Sequence, residues 1–145
     1  MADISGMDLM YQFHNTFNLM RRCYHQSVHD KVGTRHGQGK ILSILSREDG
    51  IGQKELADRV QIRAATLSEL LDKMQKNGWI ERKNNESDRR KINIYLTDEG
   101  REISLQNREA RHEMAETVFG ILSDGEKETL KNLLDRLADS LQQEK

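Results

Sequence analysis

Between residues 64 and 97 the chain changes its hydrophobic period, and few folds accommodate that change over so short a stretch. From Ala64 to Met74, the residues Leu67, Leu70, Leu71 and Met74 fall on one helical face, and the run ends at Gly78. Trp79 and Ile80 then open a strand. Beyond the charged tip Asn84-Asn85-Glu86-Ser87-Asp88-Arg89-Arg90-Lys91, the residues Ile92, Ile94 and Leu96 alternate with Asn93, Tyr95 and Thr97. That is the period-two pattern of a strand with one buried face. The expectation is a helix feeding directly into a β-hairpin with a basic tip.

The flanking sequence extends this unit in both directions. Upstream, Gln53 to Val60 reads as a helix joined to the next by a tight connection through Gln61 and Ile62, which makes the pair a helix-turn-helix. Before it, Ile51 forms a minimal strand after the Glu48-Asp49-Gly50 turn. A further helix, with Ile41, Leu42 and Leu45 inside, starts beyond Gly33, Gly37 and Gly39. The first segment, roughly 4 to 31, spaces Met10, Phe13, Phe17, Met20 and Tyr24 at steps of three and four, a single stripe. Downstream, Thr97 is the expected N-cap of a helix reaching about Gly120, with Ile103, Met114, Val118 and Ile121 inward. Ser123 and Glu126 match a capping box, and the last helix carries Leu130, Leu133, Leu134, Leu137 and Leu141 on one face.

The expected fold class is therefore mainly α with a small antiparallel β wing: a winged helix-turn-helix with N- and C-terminal dimerisation helices. The chain of 145 residues is read as one domain, 1–145, with 34–97 as the DNA-binding lobe and 1–33 and 98–145 as the dimerisation helices. The outer helices present more apolar stripe than a small winged domain needs. A second copy of the chain would cover it and would match a pseudo-palindromic site, although closure of the stripes within one monomer remains open.

Charge distribution favours nucleic acid more than the net charge of −1 suggests. Residues 31 to 97 hold 14 Lys plus Arg against 9 Asp plus Glu, whereas residues 98 to 145 hold 7 against 12. Phosphate attraction is thus confined to one end of the chain. The absence of proline fits a mostly helical fold. A single cysteine, no apolar run of bilayer length and no signal-like start give the cytoplasm as the expected location, with no membrane partner. No phosphate loop, nucleophile motif or metal-ligand set appears, so neither an enzyme nor a cofactor is expected.

The residues expected to meet double-stranded DNA follow from these elements. Arg63, Ala64, Ala65, Thr66 and Ser68 are short or basic and let the backbone approach the duplex. Ala65 and Thr66 can touch a thymine methyl, Ser68 a base edge or phosphate, and Glu69 a cytosine amino group. Lys73, one turn on, is placed for phosphate, and Gln53 opens the preceding helix. At the wing, Arg82, Lys83, Arg89, Arg90 and Lys91 outnumber Glu86 and Asp88. Arg90 is the expected minor-groove contact, with Asp88 two residues earlier to orient its guanidinium. A solvated hairpin tip is the competing reading.

Taken together, Asn77-Gly78-Trp79-Ile80-Glu81-Arg82-Lys83, Asp88-Arg89-Arg90 and Leu96-Thr97-Asp98-Glu99-Gly100 resemble the pattern of the MarR family of bacterial transcription regulators. Glu55-Leu56-Ala57 and Thr66-Leu67-Ser68 fall in the same register. The resemblance implies an obligate dimer held by the terminal helices, recognition by the fourth helix and a wing arginine in the minor groove. It also implies a repressor released by a small aromatic or phenolic compound bound between the dimer region and the DNA-binding lobe. Asn85 and Glu69 depart from the family pattern, so no known operator is carried over.

Other signals admit two readings each. Tyr11, His14 and His36 are the side chains assigned to an effector pocket, yet the first two serve equally as surface or seam residues. Cys23 is either an oxidation sensor, as in some relatives, or a plain packed cysteine, the reading favoured by how often free cysteine is buried. His25 and His29, four apart, suit zinc, but the expected metal is none because a structural site wants about four ligands. A redox- or zinc-responsive regulator of the same fold, or a winged helix that binds an acidic protein, are the alternative functions.

Overall fold

A computed structural model describes residues 3–34 and 37–143, with the side chains of Asp30 and Lys31 left out. Among the described residues six helices and three strands follow in the order α1 (Gly6–Val32), α2 (Gln38–Arg47), β1 (Ile51–Gly52), α3 (Gln53–Val60), α4 (Ala64–Lys76), β2 (Ile80–Asn84), β3 (Ile92–Leu96), α5 (Asp98–Phe119) and α6 (Asp124–Gln143). The chain divides into two compact units at residues 111 and 112.

The first unit holds the core. Ile41, Leu42 and Leu45 of α2, Leu56 of α3, Leu67, Leu71 and Met74 of α4, and Ile80 and Ile94 of the sheet are all fully buried. The expected inner faces of α2, α3 and α4 are therefore those observed, with Leu70 packed at the margin. The sheet is antiparallel in the order β1-β3-β2, with Ile51 opposite Ile94 and Ile80 opposite Leu96. Ile92 departs from expectation: it lies opposite Asn84 at the outer end of the hairpin and is 38% exposed, because the ladder runs on past the core that covers Ile94 and Leu96.

The joint between the wing and α5 is tight. α4 stops where Gly78 takes φ +80, a left-handed conformation that costs glycine little, and the Trp79 amide returns to the Met74 carbonyl. The Thr97 hydroxyl donates to the Gly78 carbonyl at 2.5 Å and accepts from the Gly100 amide at 3.0 Å, which makes Thr97 the expected cap of α5. A side chain at Gly100 would place its Cβ 1.9 Å from the Trp79 carbonyl oxygen, so only glycine permits this approach. Asp49 adds a clasp, one carboxylate oxygen accepting from the Leu96 amide at 2.8 Å and the other from Arg101 at 2.6 Å.

Helix α1 starts two residues later than expected, behind a reciprocal cap in which Ser5 and Asp8 bond each other's backbone amides. Its stripe is as spaced, but Met10, Phe13 and Phe17 are exposed while Met20 and Tyr24 are half-buried. In the second unit, Ser123 and Glu126 form the expected capping box ahead of α6. Met114 and Val118 are half-buried, but Ile121 is 86% exposed, since α5 ends at Phe119 and leaves it in the turn beyond. No residue of α6 is buried.

Candidate nucleic-acid interface

β1, α3, α4 and the wing of the first unit border one groove of about 910 Å3. α3 supplies Gln53 and Lys54, α4 supplies Ala64 and Leu67, and the wing supplies Asn85, Arg90 and Lys91. Gln53, Ala64, Arg90 and Lys91 were expected to contact DNA, and the fold gathers them. The Gln53 side-chain carbonyl is buried and meets no hydrogen-bond donor among the described residues.

The start of α4 is bare. Arg63 occupies the N-cap in an extended conformation and makes no side-chain cap hydrogen bond, and no acidic residue lies in the first turn. Helices begin with amide donors that need partners, and residues such as Ser, Thr or Asp ordinarily supply one. Here Arg63, Ala64, Ala65, Thr66, Glu69 and Lys73 are exposed around an uncapped, positive helix end, while Ser68 is half-buried.

The wing tip is organised by two side chains. Asp88 accepts from the Arg90 amide at 3.1 Å and lies 3.6 Å from its Nε, so one carboxylate holds both backbone and guanidinium of an arginine that is 95% exposed. The pairing of Asp88 with Arg90 was legible from their spacing; the part played by Asn85 was not. Its side-chain carbonyl accepts from the Ser87 and Asp88 amides at 2.8 and 3.2 Å, and its own amide donates to the Lys91 carbonyl. The signal was available as an Asx turn, an Asn whose side chain caps the amide two residues on. Arg89 and Lys91 are exposed beside it.

Arg82, read from sequence as part of the basic face, is instead a strap. Its guanidinium donates to Asp72 of α4 at 2.6 Å and to the Ser68 carbonyl at 3.0 Å, with the side chain only 20% exposed. It ties β2 to α4 and so fixes the wing relative to the helix. Lys83 lies over the Tyr95 ring at 5.2 Å and near Glu81.

Tyr11 and His14 are exposed on the first half of α1, where His14 bonds Asn18, and His36 lies outside the described residues. A cavity of about 290 Å3 opens elsewhere, lined among others by Tyr24, His25 and Val28 of α1, Lys40 of α2 and Arg111 of α5. Arg111 donates to the Tyr24 hydroxyl at 3.3 Å and faces its ring at 5.8 Å. Buried Thr34 donates to buried Asn107 at 2.9 Å at its margin. Cys23 is exposed rather than packed. Among the described residues no group of three or more His, Cys, Asp and Glu could hold a metal, and no helix is long and apolar enough to cross a membrane.

A helix-turn-helix strapped to a basic two-stranded wing, with β1 completing the sheet, is the winged helix-turn-helix of DNA-binding proteins. The MarR family model matches residues 35–92. The chain is 30% identical over 101 residues to the HTH-type transcriptional regulator YwhA of Bacillus subtilis, covering 70% of this chain and 73% of that one. It is 29% identical over 133 residues to the HTH-type transcriptional repressor YetL of the same organism, covering 89% and 80%. Among solved structures, MepR, a transcription regulator of the Staphylococcus aureus multidrug efflux pump MepA, superposes with a TM-score of 0.80 at 27% identity, over 91% of this chain and 97% of that one. The chain belongs to the MarR family of DNA-binding transcriptional regulators, and is a regulator rather than an enzyme.

Proposed function

We propose that the protein is a dimeric repressor that reads a pseudo-palindromic operator and lets go of it when a small aromatic acid or phenol binds. The observation that carries this reading is the single groove shared by Gln53, the bare start of α4 and the Asp88-held Arg90. In the bound state the first turn of α4 enters the major groove. Ala65 and Thr66 meet thymine methyls, Ser68 and Glu69 meet polar edges, and Arg63 and Lys73 meet phosphate. Arg90 enters the adjacent minor groove, where narrow A/T-rich sequence attracts a guanidinium, with Arg89 and Lys91 on the flanking phosphates. Residues 34–97 are the reading lobe.

The terminal segments 1–33 and 98–145 are assigned to dimerisation. Exposed Met10, Phe13 and Phe17 on α1, and Leu133, Leu137 and Leu141 on α6, offer apolar surface that a second copy would cover. The effector is assigned to the cavity of Tyr24, Val28 and Arg111 rather than to Tyr11 and His14. An aromatic wall beside Arg111 and Lys40 suits a ring bearing an acidic group. Release follows if the effector favours a spacing of the two α4 helices that the operator does not accept.

Footprinting on the DNA flanking the gene, with and without a panel of phenolic acids, tests the whole reading. The expected result is protection of two inverted half-sites about one helical turn apart, lost on addition of at least one acid. Protection that no acid, oxidant or zinc relieves would remove ligand control, and no protection at low salt would remove the operator.

A further inference from the structure

A second cleft shares Gly39, Asn107 and Arg111 with the aromatic cavity but has a different chemistry in the rest of its lining. It measures about 320 Å3, the small end of the range of ligand sites, about 300–1,000 Å3. Ser43, Ser46 and Arg47 of α2 face Ser104, Arg108 and Arg111 of α5 across it. Its lining holds no carboxylate and no aliphatic or aromatic side chain.

The arrangement of arginines in this part of the chain makes that lining unusual. Between residues 38 and 111, Arg59, Arg82, Arg90 and Arg101 each lie against a carboxylate, namely Glu48, Asp72, Asp88 and Asp49. Arg63 and Arg89 have none among the described residues and lie on the elements proposed to read DNA. The three that remain are Arg47, Arg108 and Arg111, and all three line the cleft without an ion pair among the described residues. Concentrating like charges is unfavourable unless an anion offsets it.

The donors are also prepared. Arg47 is held by the Ser43 carbonyl and hydroxyl oxygens, both at 3.3 Å, which fixes its guanidinium at the end of α2. Ser43 accepts in that contact and keeps its own hydroxyl proton to donate. Arg111 is steadied by Tyr24, and Arg108 bonds no other described residue. Planar forks and a hydroxyl donor match tetrahedral oxyanions. A hydrocarbon ring finds nothing to pack against here.

We infer that this cleft binds a phosphate-bearing small molecule, at a site that shares Arg111 with the aromatic cavity, includes none of the DNA-reading residues, and does not depend on whether the aromatic effector exists. Isothermal titration of the intact protein with inorganic pyrophosphate, free of DNA and at ionic strength held constant with sodium chloride, is expected to show saturable binding. Arg108→Ala should weaken it by about tenfold or more, the consequence of losing charge-assisted hydrogen bonds. Arg108 is exposed and holds nothing in place, so the variant is expected to fold, which circular dichroism checks. Arg90→Ala on the wing should leave pyrophosphate binding unchanged, and citrate, a polycarboxylate of comparable charge, should bind more weakly. Absence of saturable binding, equal loss in R90A and R108A, or citrate binding as tightly as pyrophosphate would each overturn the assignment.

Discussion

The winged lobe and the terminal helices are built from similar amounts of apolar sequence but use it in opposite ways. In the lobe, α2, α3, α4 and the sheet close on one another until nine large apolar side chains among the described residues are fully buried, Leu42, Leu71 and Ile94 among them. In α6, whose five leucines also fall on one face, nothing is buried, and Leu137 is 59% exposed. Periodicity therefore states which side of a helix is apolar, and only the surrounding chain decides whether that side is covered. The lobe satisfies itself; the terminal helices hold their apolar surface in reserve.

The sharpest way to break this contrast is to cut the lobe's core. Leu71→Ala should cost about 2–5 kcal/mol of unfolding free energy in urea titrations, the usual range for a buried leucine. A loss no larger than that of an exposed leucine would mean that the core is less closed than its burial indicates. Next in size is the double substitution Phe13→Ser and Leu137→Ser. It should shift the protein toward monomer in sedimentation velocity runs, with about 1.5–3 kcal/mol of association lost per residue, while lobe stability stays put. An unaltered sedimentation profile would deny those faces a role in pairing.

Arg90→Ala sharpens the comparison from the functional side. It should weaken operator binding by about 1 to 3 kcal/mol at matched salt, measured by fluorescence anisotropy, and leave both folding and association untouched because the side chain is almost wholly exposed. Equal affinity for wild type and variant would take the wing out of the contact. The smallest effect is expected at the start of α1. Hydrogen bonds from the Ser5 hydroxyl and amide hold the Asp8 carboxyl below its ordinary value. The unfolded chain then binds the proton more readily, so this stabilisation is present at neutral pH and fades as the pH falls through the acidic range. Ser5→Ala should flatten that dependence in helical circular dichroism, and an identical acid profile would show that the cap does not couple to the proton.

What could be read from sequence was whatever rests on short spacing. The inner faces of α2 to α4, the Ser123–Glu126 box, the Thr97 cap and the Asp88–Arg90 pair all involve residues within a few positions of each other. The misses came where a partner arrives from another element. Arg82 looked like a free cation until Asp72 and Ser68 of α4 were found to hold it. The aromatic cavity draws Tyr24, Lys40 and Arg111 from three helices, a grouping that no short spacing in the sequence announces. Ile92 and Ile121 fit their stripes and still face solvent, because each lies past the end of what could cover it.

Gly100 lets the carbonyl of Trp79 rest against the opening turn of α5, and Thr97 and Asp49 lock the same corner from either side. No slack remains there for α5 to swivel on its own. A molecule lodged against the first turns of α5, up to Arg111, therefore pushes on a corner already fastened to the hairpin, and a residue bulkier than glycine at position 100 would strip its gears.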